Sequence, residues 1–404
     1  MSPYQSQSHR AYFDHNATTP VDPLILEKLG SWAMAFGNPS SIHADGRAPK
    51  SLLREARKSI AKFLKVEPLE LVFTSGGSES NNLVLQGLFK MIKTGQGWNG
   101  SHQSSRNQLI VSAVEHPSVL KTAQFLERSG VQVDVVPVSK EGFLDLEVYQ
   151  SLLSEKTALV SIMYANNETG CVFPIKDLAK MAHQVGGLFH CDAVQSLGKS
   201  LVDLKDWDVD FASVSGHKFY ALKGIGLAYI KKGRSLESLI FGGGQERGRR
   251  AGTENLIGIA SLGLRCENPV TQEDLQFLKD LRDTFEACVE KEISGVQVVG
   301  RESARVPNTS MLILEDVDGE TLLMNLDVEG YSVSTGAACS AGNPEPSPGL
   351  LAMGFSREEA QSSLRVSFGR GNTLVEVENF VASLKLIVER LRNLKREERQ
   401  NYGS

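Results

Sequence analysis

From about residue 70 to 230 the chain alternates short β-branched runs with helical stretches, and few folds accept that rhythm. The strand-like runs are LVFT, QLIVSAV, VQVDVVPV, TALVSIMYA, GLFHCDAV, DFASVS and GLAYIKK. Between them, PSVLKTAQFLERSG and PIKDLAKMAHQVGG carry apolar residues at helical spacing and end on Gly, as helices commonly do. The alternation argues for parallel βαβ units, hence an α/β protein with a sheet wrapped by helices. After FGGGQERGRRAGTEN the pattern changes to a long helical stretch (QEDLQFLKDLRDTFEACVEKEI), then strands such as SMLILE and SLRVSFG, then a final helix. A second, α+β unit is expected to begin near residue 260. With 404 residues and 41% hydrophobic content, the chain suits two domains with real cores. WNGSHQSSRNQ reads as a polar surface loop and NLKREERQNYGS as a solvated, frayed end.

Charge and cysteine usage narrow the function classes. A net charge of −5, with no basic run before the last helix, argues against a nucleic-acid surface. The start, MSPYQSQSHRAYF, has no apolar stretch behind a positive end, so neither a signal peptide nor a spanning helix is expected and the expected address is the cytoplasm. Five scattered cysteines, Cys171, Cys191, Cys266, Cys288 and Cys339, fit reduced thiols better than a disulfide framework. His190 beside Cys191 lacks the paired spacing of a zinc site, so no metal is expected.

Lys218, in SVSGHKFYALKG, follows a strand-like run and a Gly turn, so it is either a solvated amine or a buried nucleophile. Upstream, GLFHCDAVQSLGK delivers Asp192 at a strand end and Gln195 just after it. Ligands gather at the carboxyl ends of parallel strands, where Asp192 and Lys218 both fall. A buried Asp needs a cationic or hydrogen-bonding partner. The pyridinium nitrogen of pyridoxal 5'-phosphate is one, with a lysine forming the Schiff base. Alone, such a pair also reads as a plain salt bridge or as solvated tips.

Other strand ends add partners. ELVFTSGGSESNN is a strand, a turn at Gly76 and Gly77, and a helix start whose free amides, with Ser75 and Ser78, make a phosphate cradle, although SGGSES is equally an ordinary N-capped turn. His116 in SAVEHPSV is placed to stack on a planar ring, or is a loop residue. Asn166 and Asn167 in MYANNETG either reach a ring hydroxyl or form a turn. These weak signals agree on one ligand.

The chain resembles the cysteine desulfurases, class V members of the fold type I pyridoxal-phosphate enzymes. The likeness runs from YFDHNATTP and GNPSSIHADGR through TSGGSESNN, VEHPSV, NNETG, HCDAVQSLGK, SGHKFYALKGIG, GGGQERGRRAGTEN and STGAACS to LRVSFGR. It implies a mainly parallel seven-stranded sheet wrapped by helices, in a large cofactor-binding domain over 21–260. It also implies a small α+β domain, from 1–20 plus 261–404, that carries a catalytic cysteine loop. Lys218 would bind the cofactor aldehyde, Asp192 the ring nitrogen, and Gln195 and Asn167 the ring oxygen, with His116 on the ring. Gly77, Ser78, Ser215 and His217 would surround the phosphate, and Thr253 would reach the phosphate of the partner subunit in a homodimer. Arg365 in SSLRVSFGR would grip the substrate carboxylate with Asn167 helping, although an Arg on a strand also makes ordinary ion pairs.

Cys339 in YSVSTGAACSAGNPEPSPGLLAMG sits among Gly336, Gly342, Pro344, Pro346, Pro348 and Gly349, which predicts a mobile loop. By itself it reads as a passive thiol; the resemblance makes it the nucleophile. The implied reaction converts L-cysteine to L-alanine, with Lys218 and His116 moving protons and a persulfide left on Cys339. The sulfur would pass to an acceptor protein for iron–sulfur cluster, thio-cofactor or tRNA synthesis. A selenocysteine lyase or another fold type I lyase would share the cofactor residues.

Overall fold

The computed structural model describes residues 10–95, 106–336 and 345–402. Its strands are β1 Ala11–Tyr12, β2 Leu71–Thr74, β3 Gln108–Ser112, β4 Gln132–Val136, β5 Thr157–Met163, β6 Leu188–Asp192, β7 Phe211–Ser215, β8 Gly226–Ile230, β9 Val296–Val298, β10 Thr309–Leu314, β11 Tyr331–Ser332 and β12 Ser363–Ser367. Its α-helices are α1 Pro23–Met34, α2 Ala44–Leu64, α3 Gly77–Lys93, α4 Pro117–Arg128, α5 Leu146–Leu152, α6 Ile175–Gln184, α7 Leu256–Glu267, α8 Gln272–Glu292, α9 Gly319–Val328, α10 Pro348–Ala352, α11 Arg357–Gln361 and α12 Leu374–Tyr402.

Seven strands form one sheet in the order β2-β8-β7-β6-β5-β3-β4. β8 alone runs against the rest, pairing antiparallel with β2 and β7, so the sheet is mixed but mainly parallel. The run GLAYI differs from the βαβ expectation because no helix long enough to cross the sheet separates it from β7, and a short return delivers a strand antiparallel. Side chains alternate between faces. Ile110 packs with α2, α6 and α7 through Ile60, Leu178 and Ile259, whereas Leu109 and Val111 pack with α3 and α4 through Leu88 and Leu126. Burial on both faces is why these strands read as near-continuous apolar runs. The strand order reverses between β3 and β5, and the crevice above their carboxyl ends is where such sheets bind ligands.

A second core gathers α8, α9 and α12 over the antiparallel sheet β12-β10-β9, with Phe285, Phe368 and Phe380 at its centre. Ile259, Leu262 and Cys266 of α7 belong to the first core, whereas the second takes Ala11 and Phe13 from the start of the chain and Leu278 of α8. The segment after β1 ties the two together. Ser367 donates its N–H to the Phe13 carbonyl, and Thr19 donates its N–H to the His217 carbonyl.

Two local expectations are corrected. The charged end, read as frayed, continues α12 to Tyr402, because no Gly or Pro interrupts it and its Lys, Arg and Glu residues favour helix. Pro348, read as a helix breaker, starts α10, where its missing N–H costs nothing and the Ser347 hydroxyl accepts from Leu350 N–H. Most of the polar loop at 98–108, and Cys339, lie outside the described residues.

Candidate active site

Parallel strands place their ends side by side, so residues distant in sequence meet at the sheet's carboxyl edge. Asp192 ends β6, the short 3₁₀ turn Gly216–Lys218 follows β7, His116 caps α4 after β3, and Asn167 follows β5. All four line one cavity of about 410 Å³. Gly77, Ser78, Gln195, Ser215, His217 and Arg365 line it too.

One end of the cavity suits an anion. Gly76 caps α3 without a side-chain bond, so the first-turn N–H groups of α3 have no partner from the helix itself. A Cβ on Gly77 would stand 2.6 Å from Val194 Cγ2, so only glycine lets this turn lie against the segment after β6. Ser78, Ser215 and His217 complete the cradle. Burial, with Lys218 adding to it, lowers the His217 pKa to about 4, so its ring is a neutral hydrogen-bonding group at physiological pH. Ser75 and Thr253 lie apart from this cavity, in a neighbouring cleft with Arg250 and Asn255, and Thr253 is exposed.

Another part of the lining suits a cation with a proton to give. Asp192 is buried, and among the described residues its carboxylate is held only by neutral donors: Val194 N–H at 3.0 Å and Asn81 Nδ2 at 2.7 Å. A buried carboxylate without a cation is costly, and a protonated ring nitrogen would offset that cost. Asn81 also donates to Ser118 Oγ at 2.8 Å, which lies 2.7 Å from His116 Nδ1. Ser118 N–H donates to the same Nδ1, so Nδ1 is an acceptor and neutral His116 carries its proton on Nε2. The cavity wall lowers the His116 pKa, opposed by Asp192 and assisted by Lys218.

Lys218 lines the same cavity. Its Nζ donates to the main-chain carbonyls of Asn16 at 2.5 Å and Ala17 at 2.6 Å. Burial, then repulsion from Arg365, lowers its pKa to about 8 against the pull of Asp14 and Asp192. That amine is far readier than an ordinary lysine to act as base or nucleophile.

Arg365, on β12, spends Nη2 on Asp14 Oδ1 at 2.7 Å and Nη1 on the Asn167 carbonyl at 3.1 Å. Among the described residues its buried Nε has no partner. Asn166, by contrast, is a turn residue: its Oδ1 accepts from Glu168 and Thr169 N–H, and its Nδ2 donates to the Val114 carbonyl.

Sequence reasoning missed Asp14 and Asn16, which reach the site from the far end of the chain. It also missed Asn81, Ser118 and Glu115. Glu115 Oε1 accepts from Ser112 Oγ at 2.5 Å and Met163 N–H at 2.9 Å, while among the described residues buried Oε2 has no partner. Burial raises its pKa to about 8, with Asp192 adding to the rise. A carboxyl held above its unfolded value contributes stability that is full below pH 4.5 and lost as the pH rises through about 8. Glu115→Gln keeps both accepted bonds and cannot ionise. The expected result is a flatter dependence of unfolding free energy on pH between 4.5 and 8, by up to about 1.4 kcal/mol per pH unit, in urea titrations of the apoprotein. An unchanged slope would remove Glu115 from the account.

Among the described residues no group of His, Cys, Asp and Glu is placed to hold a metal, and no helix is long and apolar enough to cross a membrane. The family model described as Aminotransferase class-V matches residues 11–380. Cysteine desulfurase IscS of Dictyoglomus turgidum is 41% identical over 386 residues, covering 95% of each chain. A solved NifS-like protein superposes with TM-score 0.86 at 35% identity, over 94% of this chain and 100% of its own. SspA, solved in complex with cysteine, superposes with TM-score 0.77 at 32% identity, over 89% of this chain and 99% of its own. The chain therefore belongs to the class-V aminotransferase family of fold type I pyridoxal-phosphate enzymes and, within it, stands with the cysteine desulfurases.

Proposed function

We propose that the protein is a cysteine desulfurase that converts L-cysteine to L-alanine and captures the sulfur as a persulfide on Cys339. One arrangement carries this reading: a lysine of lowered pKa, a buried carboxylate with no cation among the described residues, and an arginine whose buried Nε has no partner among them line one cavity.

The donor set fits pyridoxal 5'-phosphate. Gly77, Ser78, Ser215 and His217 would hold its phosphate, Asp192 its ring nitrogen, Gln195 and Asn167 its ring oxygen, and Lys218 its aldehyde carbon, with His116 against the ring face. When bound, the cofactor supplies an electron sink for the bonds at the substrate's Cα. Lys218 would take the Cα proton, and a pKa of about 8 leaves it a competent base near neutral pH. Asp192 would hold the proton on the ring nitrogen. Arg365 turns Nε and Nη2 to the substrate carboxylate, loosening its hold on Asp14. The Cys339 thiolate then attacks the substrate sulfur and the carbon–sulfur bond breaks. Its electron pair leaves with carbon, which gains a proton, with Nε2 of His116 as the local proton carrier. The balance is L-cysteine plus enzyme thiol giving L-alanine plus enzyme persulfide.

Arg365→Lys removes the paired donors and leaves the cofactor residues alone. Its kcat/KM for L-cysteine is expected to fall roughly 10²-fold, mostly through KM, with the cofactor's visible absorption unchanged. Steady-state alanine production checks this, and an unaltered KM would place the carboxylate elsewhere.

The working form is a homodimer. Thr253 reaches the partner's phosphate, and exposed Phe36, Ile42 and Phe241 are apolar surface a second subunit would cover. The persulfide sulfur passes to an acceptor protein of iron–sulfur cluster or thio-cofactor synthesis. A cytoplasmic location fits the four described cysteines, all free.

The deciding experiment adds L-cysteine and a thiol reductant to the cofactor-loaded protein and measures sulfide and alanine together. Equal amounts of both, many per site, are expected. Neither product from a cofactor-loaded protein would overturn the reading.

A further inference from the structure

Beneath the cavity lies a second lysine that the proposed reaction does not use. Lys199 exposes 5% of its surface, and among the described residues its Nζ has no carboxylate within ion-pair distance. It donates instead to two amide oxygens, Asn16 Oδ1 at 2.6 Å and Gln195 Oε1. The charged groups facing it are Lys218 and Arg365, with Asp14 of opposite sign, and the rings of His15 and His217 feel its field. A lysine buried among like charges and bonded only to neutral oxygens is a poor stabiliser, so its placement asks for another explanation.

An amide has one accepting end and one donating end, and whatever holds one end aims the other. Gln195 commits Oε1 to Lys199 and one Nε2 hydrogen to the Asn16 carbonyl at 3.1 Å, leaving the second Nε2 hydrogen for the cavity it lines. Asn16 commits Oδ1 to Lys199 and Asn308, so its Nδ2 faces Thr309 and Asn167. We propose that Lys199 is a positioning residue that locks the Gln195 amide with its donor end toward the cavity, where it hydrogen-bonds the ring phenolate oxygen of bound pyridoxal phosphate. This rests on the cofactor assignment above. A donor on that oxygen competes for it with the proton on the lysine-linked nitrogen, so losing the donor makes that proton harder to remove.

The test is a pH titration of the visible absorption of the cofactor-loaded protein without substrate. Lys199→Met is expected to raise the midpoint by about one unit, as befits the loss of roughly one hydrogen bond to a charged oxygen. Gln195→Leu should do the same, and the double variant should shift no further than the larger single shift, because both act through one bond. Lys199→Arg, which only donates, should stay near the wild-type midpoint. Should Lys199→Met fail to fold, Lys199→Gln carries the same expectation, since its amide offers an acceptor as well as a donor. An unmoved midpoint, or additive shifts in the double variant, would overturn the proposal, the second by showing that Lys199 acts as a distant charge. A wild-type protein that takes up no cofactor would instead overturn the assignment on which it rests.

Discussion

Lys218→Ala is expected to lose both the covalently held cofactor and turnover, the latter by at least roughly 10²–10⁴-fold, the range for removing one positioned acid–base group. The loss should exceed that of any other cavity residue, because in the proposed reaction Lys218 serves twice: as the amine that fixes the cofactor and as the base at the substrate's Cα. Its surroundings support both tasks. The carbonyls of Asn16 and Ala17 fix its position, while burial and Arg365 bring its pKa down to about 8. A lysine whose folded-state pKa stands below its unfolded value weakens the fold most where both states hold the proton, and the penalty fades as the pH rises from the folded value to the unfolded one. The wild-type apoprotein should therefore gain stability as pH rises from about 8 to 10.5, and the variant should lack that slope. Borohydride reduction of the loaded protein gives the sharper reading. If it still fixes cofactor to the variant, a different amine is the linker, and Lys199 is the first to examine.

How far the sequence could foresee this site follows from where each residue's evidence lay. Strand-end residues were legible because apolar runs announce the strands, and the sheet's topology makes their carboxyl ends adjacent. Asp192, Lys218, His116 and Asn167 could be placed together on that ground alone. Asp14 and Asn16 could not. They follow a two-residue strand whose pairing with β11 is a contact across the whole chain, and YFDHN has no periodicity that predicts burial. Asn81 and Ser118 were hidden differently. Each sits in the first turn or two of a helix, where a polar residue ordinarily means solvent or capping, and only the approach of α3 to α4 makes them one relay from Asp192 to His116. Lys199 stands in HCDAVQSLGK, a run whose pattern does not announce a buried amine. Its burial comes from Asn16, again a tertiary contact. The sheet's one reversed strand and the full length of α12 show the same limit, since pattern gives the type of an element more readily than its direction or its end.

Cys339→Ser should divide the reaction in two. The cofactor spectrum and the exchange of the substrate's Cα proton should persist, because Lys218, Asp192 and Arg365 are untouched. Persulfide and sulfide should fall roughly 10³-fold or more, since a serine hydroxyl does not attack sulfur. The resemblance assigns the nucleophile to Cys339, and the other four cysteines are poor rivals, since none of them lines the cavity. Cys171 packs beneath Gly142 and Gly300, with Ser303 donating to its sulfur. Cys191 is on β6 one residue before Asp192 but points to the opposite face of the sheet, where burial pushes its thiol far up and the charges of Asp192 and Glu115 push it further. Burial pushes up the Cys266 thiol in α7 in the same way, and Cys288 packs against the second core. A thiol so raised holds almost no thiolate near neutral pH, and thiolate is the form that attacks. Sulfide release at the wild-type rate by Cys339→Ser, in L-cysteine with a phosphine reductant in place of added thiol, would mean that the carbon–sulfur bond breaks without the Cys339 thiol. Proton exchange at Cα without sulfide would instead locate the chemistry of carbon on the sheet edge and the chemistry of sulfur on a separate part of the chain.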